Sequence, residues 1–310
     1  MYGVAIQAGT AREAVTQIEQ AEAAGIDAAW ATMGGAGGVD MIPVYAAAAM
    51  RTATIRMGTA IVHTWPRHPI VLAQEAMAIE QLAPGRFRLG IGPTSAVLTQ
   101  RMYGLKYRKP LTNLREYLLT VRQLLHEGSV DFEGEHVTVR GQLRTSAPVP
   151  VMASALRPRS YELCGELSDG AISWMSPLKY LAEVALPALR RGAERASREE
   201  PPLVAHVPVA VSADRAAARA LARTQLAMYA RVPNYQGMFA AAGYDVGDGY
   251  SDALLDDLVV SGTEEEVAVG LHRWRDAGMS EVLAHPLLDP ADREGSMAGA
   301  FAAVGRAARG

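Results

Sequence analysis

The run GTAIVHTWPRHP, Gly58–Pro69, ends an apolar stretch in two histidines, a tryptophan, an arginine and two prolines. Each of these side chains has a use beyond packing. An imidazole changes charge near neutral pH and can carry a proton. An indole offers a flat wall with one donor. A guanidinium recognises anions in a fixed fork. His63 is therefore the candidate catalytic group, with Trp65 as a candidate wall for a substrate. His68, immediately before Pro69, reads as a residue that holds the turn, and Arg67 as one that pairs locally.

The neighbouring elements decide whether such a cluster lies at a site. Tyr2–Ala8 is a short apolar run closed by Gly9, and Thr10 with Glu13 has the form of a capping box. Val15, Ile18, Ala21 and Ala24 recur at helical spacing, and Gly25 ends the helix. A second apolar run, IDAAWATM, follows, so the first thirty residues read as a strand–helix–strand unit with parallel pairing. The alternation continues with strands at Ile55–Val62, Phe87–Gly92, Val149–Ala155, Gly170–Met175, Leu203–Val211 and Glu281–Pro286. Helices are expected near Asp40–Met50, Pro69–Leu82, Leu111–His126, from Pro158, Leu178–Ala196, Asp214–Arg231, from Thr263 to Gly278, and Pro290–Ala308. Eight strands of this kind, apolar on both faces and each followed by a helix, predict an α/β fold, a (β/α)8 barrel. A doubly wound sheet is the alternative architecture. Three connections are long, near 92–110, 127–148 and 232–261. The second reads as a hairpin turning at Glu133-Gly134. All three are read as insertions in a single domain covering 1–310.

In such a barrel the site lies at the C-terminal ends of the strands. His63, Trp65, Arg67 and His68 follow strand three and so belong to the mouth. The other strand ends supply Gln7, Met33-Gly34-Gly35, Gly92 to Ser95, Ser154 to Arg157, Trp174 to Ser176, and His285. Aromatic, sulfur and small residues dominate, and carboxylates are scarce. Clustered acids or histidines for a metal, paired carboxylates for glycoside hydrolysis and a Gly-x-Ser-x-Gly elbow do not stand out. What remains suits a flat, apolar, hydrogen-bonding cofactor.

The 310 residues carry a net charge of −3 and are 49% apolar, ample for a large core and without the basic excess of a nucleic-acid binder. The one cysteine, Cys164, sits on a helical face and is expected to be a buried thiol, which fits a reducing cytoplasm. No apolar run reaches membrane-spanning length. His206, mid-strand, reads as core, and Glu264–Glu266 as the solvated first turn of a helix.

The segment MGTAIVHTWPRHPIVLAQEAMAIEQLAPGRFRLGIG, Met57–Gly92, resembles the signature region of the luciferase-like flavin and deazaflavin oxidoreductases. PVMASALRPRSYELCGELSDGAISWM, Pro150–Met175, is similar to the same family's phosphate-binding segment. The likeness extends to GLKYRKP, Gly104–Pro110, and SGTEEEVAVGLHRWRDAG, Ser261–Gly278. It is greatest for the subgroup that uses the deazaflavin coenzyme F420, related to methylenetetrahydromethanopterin reductase. The resemblance implies a barrel that is usually dimeric, with a non-prolyl cis peptide at Ala60–Ile61 under the ring. It further implies that Gly92, Pro93 and Thr94 follow the ribityl chain. Ser154, Ala155, Leu156 and Arg157 then hold the phosphate through backbone amides at a helix start. Gln7, His63, Trp174 and Met175 complete the cofactor's surroundings, and Met33, Trp65, Tyr107 and Tyr235 face the substrate.

One departure stands out. Reductases of the family commonly carry an Asp-His pair after strand two, where this chain has Met33-Gly34. The expected activity is F420-dependent transfer of a hydride to or from a small apolar organic molecule. His63 is then the first candidate for the proton, followed by Tyr107 and Tyr235. An FMN-dependent monooxygenase and a protein that holds the cofactor without turnover are the alternatives.

Overall fold

A computed structural model describes residues 1–33 and 38–310. Eight parallel strands close on themselves: β1 (Tyr2–Ala5), β2 (Ala28–Ala31), β3 (Arg56–Thr59), β4 (Phe87–Gly92), β5 (Val151–Ser154), β6 (Ala171–Ile172), β7 (Leu203–Val211) and β8 (Glu281–Pro286). β1 lies beside β2 and β8, with Gly3 opposite both Ala28 and Leu283. Pairing of β6 with β7 through Leu203 and Ala171 completes the circle. The predicted (β/α)8 barrel is the observed fold. Two short strands extend the sheet: Val62–His63 beside β4, and Val260–Gly262 beside β7.

Local signals account for the helices. Thr10 caps Ala11–Ala23 through the Glu13 amide, and His68 caps Pro69–Leu82. Thr263 and Glu266 form a reciprocal capping box on Glu264–Asp276. Cys164 is fully buried and its thiol is pushed up to about 12, as expected for a packing thiol.

Three expectations need correction. The hairpin Ser129–Glu133/Thr138–Gln142 exists, but the Gly134 amide bonds the Val137 carbonyl, so its turn is longer than a two-residue Glu-Gly connection. The buried Glu116 carboxylate holds that turn by accepting from the Glu135, His136 and Val137 amides at 2.7–3.0 Å. The segment 92–110 contains a helix, Ala96–Tyr103, and 232–261 contains two, Pro233–Ala241 and Asp252–Leu258. The third strand is also interrupted. Its pairing stops at Thr59 and resumes at Val62, on either side of the cis Ala60–Ile61 peptide, which is present as the resemblance implies.

Strand alternation separates two packing regions. The larger core lies between strands and helices. A smaller one inside the barrel gathers Ala5, Ala28, Trp30, Ala60, Met152, Ile172, Val204 and Leu283. Near the N-terminal ends of the strands its lining turns polar. The Trp30 indole donates to Glu281 at 2.6 Å, Arg88 donates to the same carboxylate at 2.5 Å, and the guanidinium lies 4.4 Å from the centre of the indole. Gly58 makes room for this layer, since a Cβ there would fall 2.4 Å from the Trp30 ring. No local sequence signal announces this arrangement, because Arg88 and Glu281 meet only when the barrel closes.

Candidate active site

Parity along the strands sets the upper lining. On β4, Arg88, Gly90 and Gly92 share the inward face; on β7, His206 shares it with Val204; on β8, His285 shares it with Leu283. The mouth thus receives a side-chain-free strip from β4 and two imidazoles from the opposite strands.

The strip is bordered by Ile61 and Ser154. A Cβ on Gly92 would lie 2.4 Å from Ile61 Cδ1 and 2.2 Å from Ser154 Oγ. Beyond it the chain turns at Pro93 and at Thr94, whose φ of 52° is left-handed. Tyr107 pins this turn by donating its hydroxyl to the Thr94 carbonyl at 3.1 Å. Tyr107 also lies 5.4 Å from Trp65, ring to ring, and His136 from the hairpin turn lies 5.5 Å from the same indole. Burial raises the pKa of the Tyr107 phenol.

His63 is buried, and its Nδ1 lies 3.1 Å from the Tyr103 hydroxyl on the helix Ala96–Tyr103. Burial first, and the Arg67 charge second, lower its pKa, so the ring is neutral at pH 7. A cleft runs alongside, lined by Met33, Val62, His63, Arg67, Met102 and Tyr103. Asp40 stands at its edge, a mouth carboxylate the sequence reading did not count. Arg67 neutralises it at 2.5 Å and also reaches Glu75 at 3.6 Å, the local pairing expected. Met33 is half-buried, and its amide donates to the Ile61 carbonyl at 3.3 Å. Gly34, the other half of the departure from the Asp-His pair, lies outside the described residues, as does Gly35.

The second histidine group was only partly foreseen. Trp174 packs 4.4 Å from His206 and 4.8 Å from His285, and the two imidazoles are 5.2 Å apart. Tyr229 lies 5.7 Å from Trp174, and Tyr235 lies 4.9 Å from Tyr229. The late insertion is thereby connected to the barrel interior. His206 is buried as expected, yet it faces the inner space and not the outer core. A period-two reading of LVAHVPVAV places it with Val204, and that signal sufficed to find it.

Other predicted residues fall at the rim. Gln7 donates its side-chain amide to the Pro286 carbonyl at 2.6 Å, bridging the ends of β1 and β8. The Leu156 and Arg157 amides both donate to Ser160 Oγ, at 3.0 and 3.1 Å, inside the first turn of Pro158–Leu167. The Arg157 guanidinium lies on the insertion, where a Cβ on Gly237 would come within 2.2 Å of Nη1. Ala155 and Met175 are buried in the outer core.

Burial pushes His285 down to about 4 and His206 well below its usual range, with His285 adding to the latter shift. The unfolded chain therefore takes up protons below pH 6.5 that the folded barrel refuses. Stability is unaffected by these rings above that pH and falls as the pH drops from about 6.5 toward 4. Urea unfolding at pH 7.5 and 5 is expected to differ by about 1–3 kcal/mol, and His285→Gln is expected to reduce the difference. An unchanged difference would mean that this ring is not held neutral.

The site is thus the mouth of a parallel barrel, with inward-facing glycines on β4 and histidines and aromatic side chains around them. Comparison with known proteins gives the family. Residues 2–281 match the luciferase-like monooxygenase family, and the chain belongs to it. Among its relatives, an F420-dependent glucose-6-phosphate dehydrogenase of Kineococcus radiotolerans is 30% identical over 255 residues, 76% of this chain and 74% of the relative. A 5,10-methylenetetrahydromethanopterin reductase of Methanolobus tindarius is 25% identical over 264 residues, 78% of this chain and 80% of the relative. The same fold occurs in an F420-dependent secondary alcohol dehydrogenase solved with an F420–acetone adduct. The TM-score is 0.83 at 20% identity, over 100% of this chain and 99% of that one.

Proposed function

We propose that this chain is a coenzyme F420-dependent oxidoreductase acting on a small organic molecule. The carrying observation is the inward-facing Gly92, where a Cβ would lie 2.4 Å from Ile61 Cδ1 and 2.2 Å from Ser154 Oγ, the side chains that border the proposed seat. A larger residue there would push those side chains into the space a planar ring needs. The glucose-6-phosphate dehydrogenase named above, F420-dependent by name, supports the choice of coenzyme. Bound there, coenzyme F420 supplies a ring carbon that gives or accepts a hydride.

The protein's own contribution is orientation, water exclusion and proton handling. Ala60, Ile61, Gly92, Pro93 and Thr94 form one edge of the cofactor seat, with Tyr107 fixing the turn at Thr94. Ser154, Ala155, Leu156 and Arg157 form the phosphate end; with two amides engaged by Ser160, the Arg157 guanidinium is the principal charge offered there. Trp174 closes the far side, while Gln7 and Met175 hold the rim and the β6 turn. Met33, Trp65, Tyr107 and Tyr235 border the substrate. His63, oriented by Tyr103, is the first candidate proton carrier on the cofactor side of the mouth. As one domain, the chain works as a cytoplasmic homodimer, a reading supported by its single buried cysteine and by the family resemblance.

Equilibrium titration of the purified protein with coenzyme F420 and with FMN tests this. Micromolar F420 binding, at least roughly tenfold tighter than FMN, is expected. FMN binding with no F420 binding would favour an oxygen-activating monooxygenase instead.

A further inference from the structure

Two imidazole nitrogens inside the barrel lack a partner. His206 Nε2 and His285 Nδ1 are buried, and neither makes a hydrogen bond among the described residues. A polar atom buried without a partner destabilises the folded chain, so such atoms are retained where a ligand or water meets them. Both rings face the inner space near the strand ends, and both pack on Trp174. We propose that His206 and His285 are the polar half of the substrate pocket and hold the oxygen of a small neutral alcohol or carbonyl compound against Trp174. This rests on the oxidoreductase reading and narrows its substrate.

The chemistry fits an uncharged oxygen and not an anion. A neutral imidazole offers one N–H and one lone pair. Two such rings can therefore donate to a carbonyl or accept from a hydroxyl, matching both ends of an alcohol–ketone pair. Among the described residues His285 is the one titratable neighbour acting on His206, and burial alone accounts for the shift of His285. No Lys or Arg of the described residues acts on either ring, as a phosphorylated or carboxylated substrate would require. Trp174 and Tyr229 supply the apolar wall for the substrate's carbon skeleton. The two histidines act here as specificity-determining residues, contributed by the adjacent strands β7 and β8.

The test uses full-length protein loaded with coenzyme F420 and labelled at histidine Cε1, with cyclohexanol, cyclohexanone and cyclohexanecarboxylate as probes. The expected result is that both neutral probes shift the His206 and His285 resonances and the carboxylate shifts neither. His206→Phe and His285→Phe are expected to weaken cyclohexanol binding at least tenfold while F420 affinity stays within twofold. His206→Gln and His285→Asn, which return a polar atom near the lost nitrogen, are expected to recover part of that loss. Binding of the neutral probes without movement of these resonances would overturn the assignment, as would shifts with the carboxylate alone or with no probe. Failure of coenzyme F420 itself to bind is a separate outcome, seen before any probe is added. It removes the oxidoreductase reading and this inference with it.

Discussion

Replacing Glu281 by alanine is expected to destabilise the barrel by about 3–5 kcal/mol. The carboxylate is 3% exposed at its side chain and accepts from both Arg88 and the Trp30 indole. Its removal strands a guanidinium that is itself only 14% exposed, and leaves the indole N–H without an acceptor. Burying an unpaired charge costs far more than the pair contributed, which is why truncating one partner is the damaging change. Glu281→Gln keeps an oxygen for Trp30 and is expected to lose roughly half as much. Chemical unfolding of the two variants measures this. A loss below about 1 kcal/mol for the alanine variant would show that solvent reaches Arg88 freely. Because the layer sits at the end of the barrel remote from the mouth, cofactor affinity of the folded fraction is expected to remain that of the parent.

This layer also marks where the sequence stopped being legible. Apolar runs separated by capped helices are local signals, and they were enough to order all eight strands and to put His63, Trp65 and Trp174 at the mouth. Which residues meet across the barrel is not local. It depends on the register of eight strands, and Arg88 and Glu281 are 193 positions apart. His206 shows the intermediate case: alternation along its strand gives its face, but only closure of the sheet reveals that the face is shared with His285 and Trp174. The turn of the hairpin was misread for a related reason. Glu133-Gly134 has the composition of a tight turn, yet the turn's geometry is imposed by Glu116 from a helix, whose carboxylate collects three amides. In the long segments, short helices such as Pro233–Ala241 carry too few turns to announce a period.

The glycine strip allows fold and function to be separated in one strand. Gly90 and Gly92 both face inward on β4, but a methyl group would meet different things. At Gly90 it would lie 1.9 Å from the Thr59 carbonyl oxygen, a backbone atom that also accepts no displacement without breaking the β3 pairing. Gly90→Ala is therefore expected to damage folding. At Gly92 the nearest atoms, Ile61 Cδ1 and Ser154 Oγ, are the ends of half-buried side chains that can rotate. Any rotation away from the new methyl moves them into the space assigned to the cofactor ring. Gly92→Ala is accordingly expected to stay within about 1 kcal/mol of the parent in stability. Its affinity for coenzyme F420 is expected to fall at least roughly tenfold, a loss of about 1.4 kcal/mol or more in binding. Titration beside an unfolding curve reads both quantities. Unchanged affinity in a folded Gly92→Ala protein would move the cofactor seat away from β4, toward the cleft between Met33 and Tyr103, and the strip would then serve packing alone.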